Sequence, residues 1–380
     1  MFTKDSKIII VGAGPIGCYT AQLLKHHGFD PLVIEEHAEV GRPVQCAGIV
    51  GKGIFEEMVL PISRDSIVNT INGGRVSFNG DSFELRRKNV AYIIDREVFD
   101  KKLAQGLRID FSTKFLSLEK NKNKGYMVKT GNGEYYADLV IGADGPSSKV
   151  RSGWKFDSEM KLYRGYQYRI KVNPKDKDTV EVYYLKPFSF FVWLIPEGNG
   201  ICRVGIISDH PYKDLNRFLE IRGIDNAEII EKNAGLIPIG TCQMAKENVA
   251  LVGDAACQLK PITSGGIYYG MKSAEILAEA VKNNDLSSYE TRWKDKFEQE
   301  VRFCLTVRSI TENMDKNTLK KVFQYLKENV PIIEKIGDFE NHSSVVWSLM
   351  SNPLTYSTIG AVMWNFIKSP QAFLRLLSRR

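Results

Sequence analysis

Clusters of small and acidic residues in this chain have the types and spacing to hold a phosphorylated, ribose-bearing ligand. The first is GAGPIG, Gly12 to Gly17, followed by the carboxylates Glu35 and Glu36. In such a turn Gly12 permits the tight bend, Gly14 lets the backbone approach a pyrophosphate, and Gly17 allows a helix to pack closely on a strand. A helix that opens here also offers free N–H groups to an anion. Glu35 stands roughly 20 residues onward, where an acidic side chain accepts from ribose hydroxyls. Its charge disfavours a ribose 2′-phosphate, which leaves FAD or NAD.

A lone glycine turn can be simple packing, so the surrounding elements decide. Residues 7 to 12, KIIIVG, form an apolar β-branched run ending at the glycines, a helix is expected through Lys25, and PLVIEE supplies a second strand. Further on, ADLVIGADGPSSKVR at 137 to 151 reads as a buried strand and a small-residue turn at Asp144, Gly145 and Pro146. NVALVGD at 248 to 254 repeats the logic, with Gly253 and Asp254 at its end and a long helix beginning near Gly265 and Gly266. A carboxylate at Asp254 can bind the hydroxyls of a ribityl chain. The N–H groups of the following helix can face a flavin carbonyl and stabilise charge on it.

Composition sets bounds around these motifs. With 380 residues, 43% apolar and 26% charged, the chain suits a folded protein with one large or two modest cores, not a disordered or fibrous one. The net charge of +7 comes from scattered lysines, so a nucleic-acid partner is not expected. Cys18, Cys46, Cys202, Cys242, Cys257 and Cys304 stand far apart, without a CxxC pair or a nearby His. They read as reduced thiols, with no metal site. No signal peptide or run of about 18 apolar residues is seen, so a cytoplasmic protein is expected. The segment Ile359 to Arg380, mixing large apolar residues with a basic end, suits peripheral membrane contact, although packing on the protein body explains the same pattern.

With GAGPIG, the Asp-Gly turn at 144 to 145 and the Gly-Asp pair at 253 to 254 in this order, the chain resembles the p-hydroxybenzoate hydroxylase-like flavoproteins over residues 7 to about 290. Within them it looks most like the geranylgeranyl reductases, including archaeal digeranylgeranylglycerophospholipid reductases, because GRPVQCAGIV at 41 to 50 resembles their cysteine-containing flavin loop. The resemblance implies FAD as cofactor. By it Glu35 would bind ribose, Cys46, Ala47 and Gly48 would line the isoalloxazine, and Arg96 would contact the phosphates or ribityl region. Asp254, Gly266 and Ile267 would complete the site, and Phe115 would stand where main-chain atoms meet adenine. Pro15, Ile16, Glu36, Arg42, Asp144, Gly145, Gly253 and Gly265 join the expected cofactor set.

The family's aromatic motif, Pro-x-x-Tyr-x-Trp-x-Phe-Pro, is matched only partly by FSFFVWLIP at 188 to 196. Trp193 and Pro196 agree, while Phe188, Phe191 and Ile195 replace its proline, tyrosine and phenylalanine. Phe191, Trp193 and Pro196 are the expected substrate residues. Runs such as RGYQYRIKV, TVEVYYL and FFVWLIP favour strands, so an antiparallel substrate sheet is expected as an insertion in a Rossmann-like α/β fold. The expected division is 1–65, 95–155 and 245–290 for FAD, 66–94 and 156–244 for the substrate sheet, and 291–380 for a C-terminal helical cap.

The resemblance implies hydrogenation of isoprenoid double bonds in a lipid or prenyl diphosphate, with NAD(P)H or a ferredoxin-like protein as electron donor. Cys46 is the candidate proton donor, with simple packing against the flavin as the alternative. No partner cysteine follows for a redox disulfide, since position 51 is Gly51. An aromatic hydroxylase of the same fold and a non-catalytic prenyl binder are the competing functions.

Overall fold

The computed structural model describes residues 2–121, 125–185 and 190–350. Phe188 and the C-terminal segment from Ile359 lie outside the described residues.

A six-stranded sheet forms the nucleotide-binding half. Its order is Ala245–Lys246, Val249–Leu251, Leu139–Gly142, Ile8–Val11, Leu32–Ile34, Arg108–Asp110. All neighbours are parallel except the first pair. Strands Ile8–Val11, Leu139–Gly142 and Val249–Leu251 are buried throughout, as continuous apolar runs must be when helices cover both faces of a parallel sheet. Helix Pro15–His26 packs against helix Ile267–Lys282 on this sheet.

The second sheet has eight strands in the order Ile229–Cys242, Ser158–Lys171, Ile201–Ile207, Phe191–Gly198, Thr179–Tyr184, Ile67–Phe78, Asp81–Ile94, Ile49–Gly51. It departs from the antiparallel expectation at one place, where Thr179–Tyr184 runs parallel to Ile67–Phe78. This parallel pair is possible because a long excursion through the first sheet separates the two strands in sequence. Ile49–Gly51, inside the 1–65 segment expected to bind FAD, hydrogen-bonds to Asp81–Ile94 at the edge of this second sheet. The residues just before it, Cys46 to Gly48, therefore cross from one sheet to the other. A small antiparallel sheet, Phe115–Lys120, Tyr126–Thr130 and Gly133–Ala137, completes the strands.

From Ser288 to Met350 the chain is helical, with short breaks. Lys316–Glu328 is capped by Asp315, whose side chain accepts from Asn317 and Thr318 N–H. No helix among the described residues is long and apolar enough to cross a membrane. All six cysteines are free thiols, five buried and Cys46 half-buried.

Candidate functional site

One cavity of about 990 Å³ runs from the carboxyl ends of the parallel strands to the underside of the eight-stranded sheet. That lies at the upper end of roughly 300–1,000 Å³ for pockets that take a single drug-sized ligand.

Its first limb is built on the glycine turn. Gly12 has φ +103°, and a Cβ there would stand 2.5 Å from the Ala143 carbonyl, so strand, turn and the 143–145 loop meet only through glycine. Gly14 has nothing within 4 Å of its Cβ position and borders the cavity, leaving the start of helix Pro15–His26 open to an anion. Glu35 is buried behind it. Its carboxylate accepts from Ala13 N–H at 2.7 Å and from His37 N–H at 3.0 Å, which ties the strand-end acid to the turn. Pro15, Ile16, Glu36, Arg42 and Phe115 also line this limb.

Asp144 caps helix Lys149–Gly153 with one oxygen, accepting from Lys149 N–H at 2.7 Å and Val150 N–H at 3.1 Å. Its Oδ1 is buried without a partner, and burial holds its carboxyl above the ordinary range. Gly145 beside it has open space where a Cβ would stand. An orphaned acceptor beside bare backbone fits a hydroxyl-bearing ligand.

The limbs meet at the Cys46–Gly48 crossing. Gly48 N–H donates to Cys46 Sγ at 3.3 Å, and the Arg96 guanidinium lies against the same sulfur while forking onto both oxygens of Asp100 at 3.0 and 2.9 Å. Arg96 also faces Asp254, whose Oδ1 lies 2.7 Å from where a Gly266 Cβ would be. Burial pushes the Asp254 pKa up to about 6, with Arg96 opposing the shift. Gly265, Gly266 and Ile267, at the start of helix Ile267–Lys282, close this end.

The second limb is apolar. Ile71, Val180, Val182, Tyr184, Phe191 and Trp193 line it, and the same wall packs on Ala47. The Trp193 ring fits because residue 205 is glycine, where a Cβ would come within 2.3 Å of the indole.

Three expected site residues do not border the cavity. Gly17 packs against the Gly12 carbonyl, 2.0 Å from its Cβ position, and Gly253 packs on Ile16 at 3.2 Å. Both bring elements together behind the wall, without facing a ligand. Pro196 is buried in its strand, pairing with Cys202, and its carbonyl accepts from Asn69. The alternation of a strand sends Trp193 and Ile195 to the cavity face and Pro196 to the opposite one.

Other site residues went unseen in the sequence. Arg203 donates to the Ala47 and Ile94 carbonyls at 2.9 and 3.0 Å and pairs with buried Glu197. Gln167 accepts from Trp193 Nε1–H at 2.8 Å and donates to the Cys46 carbonyl at 3.4 Å. Lys260 and Glu340 line the cavity as a buried ion pair at 3.0 Å. No local motif marks them, because each acts through partners distant in sequence.

A parallel nucleotide-binding sheet whose cavity continues beneath a large second sheet is the architecture of flavin-dependent oxidoreductases, and the residues described fit a flavin-type dinucleotide. A family model for an NAD(P)-binding Rossmann-like domain matches residues 10–47, the strand, turn, helix and acid that flavin and nicotinamide nucleotide sites share. The chain is 32% identical to an uncharacterized protein of Methanocaldococcus jannaschii over 91% of its own length and 95% of that protein's. It is 31% identical to the digeranylgeranylglycerophospholipid reductase of Methanosarcina acetivorans, covering 84% of this chain and 88% of that one. The chain belongs to the digeranylgeranylglycerophospholipid reductase family. Its fold is also that of a geranylgeranyl bacteriochlorophyll reductase-like protein from Thermoplasma acidophilum, with a TM-score of 0.81, 24% identity, and coverage of 94% and 99% of the two chains.

Proposed function

We propose that this protein is an FAD-dependent reductase that hydrogenates carbon–carbon double bonds of geranylgeranyl chains carried by a lipid or a prenyl diphosphate. The observation that carries the reading is the continuity of the cavity: a nucleotide cradle and an apolar wall share the Cys46–Gly48 crossing.

The first limb, with Gly14, Glu35, Asp144 and the open start of helix Pro15–His26, holds the adenosine and pyrophosphate end. Asp254 and the N–H groups around Gly266 hold the ribityl and pyrimidine end. A bound, reduced FAD would be the source of the hydride that one carbon of the double bond takes. The other carbon takes a proton, for which Cys46 Sγ is the candidate donor, a role supported by the Gly48 N–H and Arg96 on its acceptor side. The π bond is replaced by two C–H bonds, and the thiolate is restored by a proton from solvent. An isolated alkene is a poor hydride acceptor, so the apolar limb contributes by excluding water and holding the chain in place. Electrons come from NAD(P)H or a ferredoxin-like protein.

Lipids from cells expressing this chain with a candidate donor test the reading. Mass spectrometry should show one H₂ added per reduced bond in isoprenoid lipids. Folded, flavin-loaded protein that leaves those lipids unchanged with every donor would overturn it.

A further inference from the structure

At the edge of the cavity, where His342 joins its lining, the fold gathers three side chains that no motif announces. Glu300 and Cys304 lie one turn apart on helix Gln299–Asn313, and His342 arrives from the segment that follows the cavity residues Phe339 and Glu340. One ligating atom from each lies within 4.8 Å of the other two, the one such grouping among the described residues. Cys304 is 1% exposed, and its Sγ sits 3.2 Å from Glu300 Oε1. His342 Nδ1 is buried with no hydrogen-bond partner. A buried imidazole nitrogen left unsatisfied beside a thiol and a carboxylate needs an explanation.

The geometry points to a zinc site formed by Glu300, Cys304 and His342. Thiolate, imidazole and carboxylate together are a zinc donor set, and a tetrahedral ion with bonds of about 2.0–2.3 Å holds its ligands about 3.5 Å apart. The three atoms need to close by only about 1 Å, which side-chain rotation supplies. Binding replaces the Cys304 S–H bond with S–Zn and releases that proton to water.

The charges nearby agree. Lys260 and Glu340 form a buried pair next to the cluster, Asp338 faces it from the same loop, and Glu300 also accepts from His342 and Ser343 N–H at 2.7 and 3.2 Å. With a neutral thiol, the set of buried Lys260 and Glu340 and half-buried Glu300 carries one excess negative charge. A divalent ion with a Cys304 thiolate brings that set to neutrality. The fourth zinc position stays open for water, and the ion clips helix Gln299–Asn313 to the segment bearing Phe339 and Glu340, which wall the cavity.

The full flavin-loaded protein should be stripped with a chelator, reloaded with Zn²⁺, desalted and assayed by elemental mass spectrometry and zinc-edge X-ray absorption. One zinc per chain is expected, with one sulfur at about 2.3 Å and lighter ligands at about 2.0–2.1 Å. Cys304→Ser and His342→Gln should each weaken zinc binding by more than about 100-fold, the upper end of what second-shell changes cost. Cys202→Ser, remote from the cluster, should retain the metal. Substoichiometric zinc in the wild type, a spectrum without sulfur, or unchanged zinc in His342→Gln would each overturn the assignment. Should Cys304→Ser fail to fold, the wild-type spectrum and His342→Gln still decide.

Discussion

Arg203 donates to the Ala47 carbonyl at 2.9 Å, holding the chain where it crosses between the two sheets. The same nitrogen reaches the Ile94 carbonyl, and Glu197 accepts from both Arg203 and Arg169. Burial alone would raise the Glu197 pKa, but the two cations keep it below the ordinary range. Arg203→Met leaves two carbonyls without a donor and a buried carboxylate with one cation fewer, at a cost of about 3 kcal/mol. Urea unfolding should show that loss together with reduced flavin retention. Wild-type stability and full flavin content would contradict the anchoring role.

Two glycines of one motif should separate cleanly. Gly14→Val puts a side chain into open cavity, so stability should stay within about 0.5 kcal/mol of wild type while flavin affinity falls more than about 10-fold. Gly17→Val drives a Cβ to 2.0 Å from the Gly12 carbonyl and should destabilise by more than about 2 kcal/mol. Thermal melts and flavin titration check both. Equal destabilisation of the two variants would contradict the placement of Gly14 at the ligand face.

Asp254 sets a pH dependence in the flavin-free protein. Its pKa is raised from 3.8 to about 6 by burial, so between these values the folded chain keeps a proton that the unfolded chain has released. Its contribution to stability is therefore full below about pH 4 and declines by up to about 3 kcal/mol as pH rises through 6. Asp254→Asn removes this titration. Denaturation from pH 4 to 7 should show a flatter profile for the variant, which gains on wild type as pH rises, alongside weaker flavin binding. Parallel pH profiles for the two proteins would contradict the shift.

Trp193 is expected to act through Gln167. Trp193→Phe keeps an aromatic wall but removes the N–H that orients Gln167 toward the Cys46 carbonyl. Flavin content should be unchanged and kcat/KM for a geranylgeranyl lipid should fall about 10-fold, equivalent to ~1.4 kcal/mol. Gln167→Leu should match it, and the double variant should add little. Full additivity would break the proposed chain.

What could be read in the sequence was what is local. Gly12 to Gly17, Glu35 and Asp254 each follow or end a strand, and the glycines at 265 and 266 precede a helix, so spacing alone carries their meaning. Gly17 and Gly253 belong to those motifs yet pack behind the wall, because a motif specifies a backbone path without saying which atoms face the ligand. Pro196 was misplaced by the two-residue alternation of its strand. Arg203, Gln167 and Lys260 were invisible, since each reaches a backbone carbonyl more than 70 residues away. The helical region was legible from its charged composition, but its loop at Phe339 and Glu340 gave no sign that it would wall the cavity.

The most direct test is an anaerobic single turnover. The flavin-loaded protein, chemically reduced and freed of excess reductant, is mixed with geranylgeranyl phospholipid or geranylgeranyl diphosphate while flavin absorbance and lipid mass are followed together. Oxidised flavin should return as the lipid gains H₂, and Cys46→Ala, with its flavin retained, should leave both unchanged. Flavin that stays reduced with either lipid, yet reoxidises when oxygen is admitted, would contradict alkene reduction in this cavity.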